Sequence, residues 1–329
     1  MTALAPTLQA FFTDRLLAHR RASRHTVSSY RDTMRLLLVF AQRHVGTPAA
    51  QLDLGDLDAD LISAFLDYLE HGRHNAIGTR NARLAAIRSL YRFASLHHPE
   101  HAALIARVLA IPPKRHDRAV ITHLSDPEID ALLASPDSAT WIGRRDRAML
   151  QLAIETGLRV SELTGLTVRD THLSSTAHVA CHGKGRKDRI TPITRNTANA
   201  LRTWLQERGG LSEDPVFPTS RGRPLTRDAF ARRLTQHATT AARICPTLRG
   251  KTITPHVLRH TAAMRLLHAG VDTAVIALWL GHEHVETTQI YLQADLAIKE
   301  RALARTASAK THPGRYKPPD ELIAFLEAL

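Results

Sequence analysis

The chain reads as mainly α with one small β-hairpin, an α+β protein of two domains, and three observations predict it. Apolar residues recur at helical spacing through most of the 329 positions. One short stretch, HVACHGKGRKDRITPI, instead alternates around a Gly-Lys-Gly turn, as a hairpin does. Near residue 113 the run IPPKRHDR breaks the periodicity with two prolines and basic side chains, in a chain long enough for two cores. The expected division is therefore 1–113, a basic linker at 114–118, a larger domain over 119–310, and a tail over 311–329.

Composition narrows the function classes. Lys and Arg number 44 against 31 Asp and Glu, a net charge of +13, which points to an acidic partner and most simply to nucleic acid. A merely arginine-rich composition is the plainer reading of the same numbers. Cys181 and Cys245 are the two cysteines, far apart and outside any C-x-x-C, so neither a disulfide framework nor a zinc ribbon is expected. The N-terminus has no basic leader, and Asp14 interrupts its first apolar patch; no run approaches the roughly 18 apolar residues of a membrane span. A reducing, cytoplasmic setting without a membrane partner is the expectation.

In the first segment Leu8, Phe11, Phe12 and Leu16 share one helical face. Ser23 or Thr26 caps a second helix with Val27, Tyr30, Met34, Leu37, Leu38 and Ala41 inward. A third helix over 58–69 turns Leu61, Ile62, Phe65, Leu66 and Leu69 to the core. A fourth begins near Thr79 and buries Leu84, Ile87, Leu90, Tyr91 and Ala94. Its other face holds Arg80, Arg83, Arg88 and Arg92, which reads either as a solvated face or as a stripe for phosphates. Residues 1–113 contain arginine and no lysine, which suits phosphate contacts. In the linker, Lys114 and Arg115 would lie against phosphates if the chain crosses DNA there.

The second domain opens on a capping box, Ser125 with Glu128 three residues on, ahead of Ile129, Leu132 and Leu133. A helix is expected over 145–156 and ends at Gly157, after which the chain turns at once into another. That places Arg159 at a helix junction among Leu158, Val160 and Leu163, where a charge is costly unless paired or facing a ligand. A structural Arg159–Glu162 pair answers that need and is compatible with a ligand. The hairpin carries Lys184 at its tip, followed by Arg186 and Lys187. Helices over 199–207 and 226–243 follow, the latter bearing Arg227, Arg232 and Arg233 toward a DNA-facing side.

The chemistry concentrates between His256 and Tyr291. Thr254-Pro255 starts a helix on which His256 and Arg259, three residues apart, share a face. The run over 273–280 reads as a buried helix stopped by Gly281, so His282 sits just past a helix end, with Tyr291 nine residues on. Arginine is a planar, permanent cation suited to phosphate, and histidines donate hydrogen bonds or carry protons near neutrality. A tyrosine hydroxyl forms a phosphoryl intermediate once its proton is removed. Each residue alone is more often a packed one with a satisfied polar tip; the weight lies in four of them in order within one short region. His282-x-His284 lacks a third ligand at metal spacing, so no metal is expected.

The order H-x-x-R, G-H, Tyr, with the phrase LGHEHVETTQIYLQ, resembles the tyrosine recombinase, or phage-integrase, family, and especially its Xer-like and transposon-encoded members. TGLRVSELTGL is similar to the family's first box, and GTRNARLAAIRSLYRFA to the last long helix of its N-terminal core-binding domain. The resemblance implies a two-domain DNA clamp with Arg159, Lys184, His256, Arg259, His282 and the nucleophile Tyr291 as catalytic residues, and Glu162 in support. Lys187 is the alternative to Lys184 as the hairpin lysine. It tips Arg80, Arg83, Arg88 and Arg92 toward DNA and implies a homotetramer on a double-stranded DNA site, with no cofactor. An amphipathic C-terminal helix, DELIAFLEAL, is too short to stand alone in water, and the resemblance implies that Leu322, Ile323, Phe325 and Leu326 dock on a neighbouring protomer. Tyr316, in a Pro/Gly-rich setting, departs from the motif. The alternatives are an integrase-like regulator with a dead site and a type IB topoisomerase-like enzyme.

Overall fold

The computed structural model describes residues 4–115, 121–182, 188–281 and 288. The chain divides into two compact units, Met1–Ala119 and Val120–Leu329. Lys184, Arg186, Lys187, His282, Tyr291 and the tail over 311–329 lie outside the described residues.

The first unit is helical. α1 (Leu4–Ala10) runs into a wide-turned stretch, Phe11–His19, and α2 spans Arg24–Val45. Ser23 is the α2 cap, its hydroxyl accepting from the Thr26 N–H at 3.2 Å, which settles the choice between those two residues. α3 (Ala59–Asp67) is capped by Asp58, and α4 (Ile77–Ala94) and α5 (Ala102–Ala110) follow. Phe11, Phe40, Phe65, Leu90 and Tyr91 fill the interior, and the buried Tyr91 hydroxyl donates to the Leu57 carbonyl.

The four arginines expected as a stripe on α4 differ in their surroundings. Arg80 is buried and donates to Asn81 Oδ1 (3.2 Å) and to the Pro112 carbonyl (3.5 Å). Arg88 donates to the Ile111 carbonyl and Arg83 to Thr33 Oγ1 (3.4 Å), both half-buried, while Arg92 is exposed. The physical cause is that α4 packs against both α2 and α5, and the chain leaving α5 returns along α4, so the carbonyls of Ile111 and Pro112 capture guanidiniums that a lone amphipathic helix would present to solvent. The same return fastens Lys114, whose backbone N–H donates to Asn81 Oδ1 (3.1 Å) and whose ammonium meets Glu70 (2.8 Å); Arg115 is exposed.

The second unit packs helices around a three-stranded antiparallel sheet. α6 (Asp126–Ala134) begins on the expected capping box, with the Ser125 N–H donating to Glu128 at 2.9 Å. α7 spans Trp141–Thr156, starting four residues before the expected 145 because Thr140 caps it by accepting from the Gly143 N–H. A short α8 (Val160–Gly165) follows Gly157. The hairpin is present as β2 (His178–His182) and β3 (Asp188–Pro192), and β1 (Thr171–His172), which no sequence pattern announced, joins the edge of β2. α9 (Arg195–Arg208), α10 (Arg227–Ile244), α11 (Pro255–His268) and α12 (Thr273–Leu280) complete it. Leu152, Leu163, Val179, Leu201, Trp204 and Phe217 lie in the main core. α12 packs on α11 through Ile276, Ala277 and Leu280, but Val275 and Leu278 are 49% and 75% exposed. The expectation of a wholly buried helix is thus corrected: an apolar run cannot say which of its sides meets the core.

Candidate active site

Three guanidiniums converge on the C-terminus of α12. Its last carbonyls, Trp279, Leu280 and Gly281, accept in turn from Arg189 Nε (3.1 Å), Arg259 Nη2 (2.7 Å) and Arg159 Nη2 (2.7 Å). A helix C-terminus leaves its final carbonyls without intrahelical donors and carries partial negative charge, so cations there are both hydrogen-bonded and electrostatically favoured. Gly281 closes the helix in the left-handed conformation, φ 65°, and the next residue in the chain is His282.

Arg259 sits on the second turn of α11, only 5% exposed, and also donates through Nη1 to the Gly157 carbonyl at 2.7 Å. Gly157 has φ 62°, and a Cβ there would stand 2.7 Å from Leu280 Cδ2 and 3.0 Å from Ala262 Cβ. Glycine is thus required twice over at the α7–α8 junction, by backbone conformation and by the approach of α11 and α12. Trp279 completes the seam, its indole N–H donating to the Thr156 carbonyl at 3.1 Å.

Arg159 is the residue preceding α8, and its backbone N–H donates to Glu162 Oε2 at 2.8 Å, while its Nη1 meets Glu162 Oε1 at 3.0 Å. The ion pair expected from sequence is present, but it is not a simple pair. Arg189, on β3, grips both oxygens of the same carboxylate, Nη1 to Oε1 at 3.0 Å and Nη2 to Oε2 at 2.8 Å. Burial pushes the Glu162 carboxyl up, but the bonds and charge of Arg189 and the two donors of Arg159 outweigh it and hold it below the usual carboxylate range. Sequence reading missed Arg189. The available signal was electrostatic: a second cation was needed wherever Arg159 was to keep charge to spare beside Glu162.

His256 is exposed on the first turn of α11, its ring 5.9 Å from that of His260 and tilted by 16°. Burial, then the charges of His256, Arg259 and His123, lower the pKa of His260. On α10, Arg232 is exposed, whereas Arg233 turns inward to the buried Asp146, which also accepts from Arg145 (2.7 Å) and His237 (2.8 Å). The structure therefore brings together Arg159, Glu162 and Arg259, and leaves Arg92, Arg115 and Arg232 on the surface.

Residues 122–297 match the model of the phage integrase family, and residues 10–98 match the phage integrase N-terminal SAM-like domain. The integrase/recombinase y4rC of Sinorhizobium fredii (strain NBRC 101917 / NGR234) is 51% identical over 99% of this chain and 98% of its own. Tyrosine recombinase XerD of Vibrio cholerae is 34% identical over 85% of this chain and 89% of its own. Among solved structures, XerH site-specific recombinase bound to a palindromic difH substrate shares the fold, with TM-score 0.68 and 20% identity over 88% of this chain and 82% of that one. The chain belongs to the phage integrase family of tyrosine recombinases and is a site-specific DNA recombinase.

Proposed function

We propose that this recombinase cleaves and rejoins double-stranded DNA through a 3′-phosphotyrosine at Tyr291. The observation that carries the reading is the meeting of Arg159 and Arg259, distant in sequence, on adjacent carbonyls at the end of α12, immediately before the segment that holds His282 and Tyr291. The two guanidiniums bind the non-bridging oxygens of one phosphate and stabilise the charge that develops there. The Tyr291 hydroxyl passes its proton to His256 and attacks phosphorus; the P–O5′ bond breaks as Lys184, or Lys187 in its place, protonates the leaving 5′ oxygen. His282 donates a hydrogen bond to the phosphate. The phosphotyrosine ester keeps the energy of the broken bond, so attack by a 5′-hydroxyl rejoins the strand without ATP, and arginines supply the positive charge.

The N-terminal unit binds the duplex through Arg92 and Arg115, and the second unit adds Arg186 and Arg232. Recombination proceeds in a homotetramer, to which each tail contributes Leu322, Ile323, Phe325 and Leu326. An open groove of about 800 Å³ in the second unit, where Leu133, Ile154, Leu266 and Trp279 stand among Arg147, Glu155 and Arg265, is the surface we assign to that helix.

The test is a nicked suicide duplex carrying DNA from the flanks of the gene, incubated with chelator and run on a denaturing gel. A covalent protein–DNA adduct formed by the wild type and lost in Tyr291→Phe is the expected result. An adduct that persists in the variant overturns the assignment. Tight DNA binding without any adduct supports an integrase-like regulator instead.

A further inference from the structure

The carboxylate of Glu162 presents an electrostatic problem for the site. Its side chain is 5% exposed and touches Arg159, which is 35% exposed and is the member of the cluster open to solvent. A lone buried carboxylate beside Arg159 would cancel the charge that the phosphate requires. Arg189 removes that conflict. At 12% exposed, it holds both Glu162 oxygens in a two-point grip and anchors its own Nε on the Trp279 carbonyl. The planar fork of arginine matches this geometry and an ammonium does not. One anion between two cations leaves a net charge of about +1, and the cation that can present it outward is Arg159.

We propose that Arg189 is a positioning residue whose charge offsets Glu162, so that Glu162 orients Arg159 without cancelling it. The inference rests on the reading that Arg159 binds the scissile phosphate. It also gives β3 a role: the strand that descends from the lysine hairpin is tied at Arg189 to the same carboxylate and to the end of α12. Arg189 itself touches neither the phosphate nor the nucleophile in this scheme.

The experiment measures the single-turnover rate of adduct formation by the full chain on the suicide duplex, for Arg189→Met, Glu162→Gln and the double variant. Losing a direct oxyanion contact typically costs about 10²–10³ in rate, so an indirect effect of roughly tenfold or more is expected for Arg189→Met. The diagnostic result is rescue: with the Glu162 charge removed, Arg189 has nothing to offset, and the double variant is expected to cleave faster than Arg189→Met alone. A contact that merely holds the fold together predicts the opposite, a double variant no faster than Arg189→Met, and that result overturns the proposal. Arg189→Lys keeps a charge beside Glu162 and is expected to lose less than Arg189→Met; a folded Lys variant as slow as Arg159→Met also overturns it. Arg159→Met and Tyr291→Phe run alongside. Wild-type cleavage by Arg159→Met would refute the phosphate reading itself, whereas loss in Arg159→Met with none in Arg189→Met refutes only the role given to Arg189.

Discussion

Replacing Gly157 with alanine tests how closely the arginine site is built. Two effects act at this position. An alanine with φ near 62° sits in the left-handed region, at about 1–2 kcal/mol, partly offset by about 0.4–1 kcal/mol from a stiffer unfolded chain. The added methyl would also stand 2.7 Å from Leu280 Cδ2 and 3.0 Å from Ala262 Cβ, and overpacking of this kind costs about 1–3 kcal/mol. Gly270, with φ 84° and nothing within 4 Å of a built Cβ, isolates the first effect. Gly157→Ala is therefore expected to destabilise by about 1–3 kcal/mol more than Gly270→Ala. The protein supplies a convenient probe, because all three tryptophans, Trp141, Trp204 and Trp279, lie in the second unit. Urea unfolding followed by their fluorescence reports that unit alone, and with a slope of about 2 kcal/mol per molar the midpoints should differ by roughly 0.5–1.5 M. Because the Gly157 carbonyl accepts from Arg259, the variant should also cleave DNA more slowly than Gly270→Ala. Equal midpoints for the two variants would refute the close approach of α7, α11 and α12.

Further outcomes follow from other contacts. Asp146 is buried against Arg145, Arg233 and His237; Asp146→Ala leaves Arg145 a buried cation without its counter-ion, held only by the Pro218 carbonyl and the Trp141 ring, and should cost about 3–5 kcal/mol by tryptophan-monitored unfolding, and a loss below about 1 kcal/mol would contradict the network. His260 has a folded pKa below its ordinary 6.5, so as pH falls through 6.5 the unfolded chain takes up a proton that the native state resists. Stability from this group is present above 6.5 and is lost as pH falls toward the folded value, with a slope of at most about 1.4 kcal/mol per pH unit; His260→Gln should remove that component below about pH 6.5, and an unchanged profile would refute it. Changing Leu322, Ile323, Phe325 and Leu326 to serine should leave single-site DNA binding intact and abolish DNA-bound tetramers in sedimentation; tetramers at wild-type affinity would exclude the tail from assembly.

Periodicity made most of the helices legible. The Ser125–Glu128 box, the Gly157 and Gly281 stops and the Arg159–Glu162 spacing could be read from local sequence because each depends on residues within one or two turns. What escaped depends on distant partners. The expected start of α7 at Arg145 omits its first turn, Trp141–Arg144, whose cap is Thr140, and the sequence gives no sign that Arg145 and Asp146 are buried in a cluster completed by Arg233 and His237 from α10. Arg80 and Arg88 look outward on a helical wheel, yet carbonyls more than twenty residues on draw them in. Arg189 carries no local mark at all. Its role follows only from Glu162 and the end of α12, which the fold brings to it.

The central claim is that one particular tyrosine receives the phosphate, and the position of the adduct tests it most directly. Trypsin should release residues 266–299 as one peptide with Tyr291 as its only tyrosine, and residues 316–329 as another carrying Tyr316. After nuclease trimming of the suicide-substrate adduct, mass spectrometry should find the nucleotide on the 266–299 peptide, fragmenting at Tyr291. A nucleotide on the 316–329 peptide, or on any residue other than Tyr291, would contradict the account.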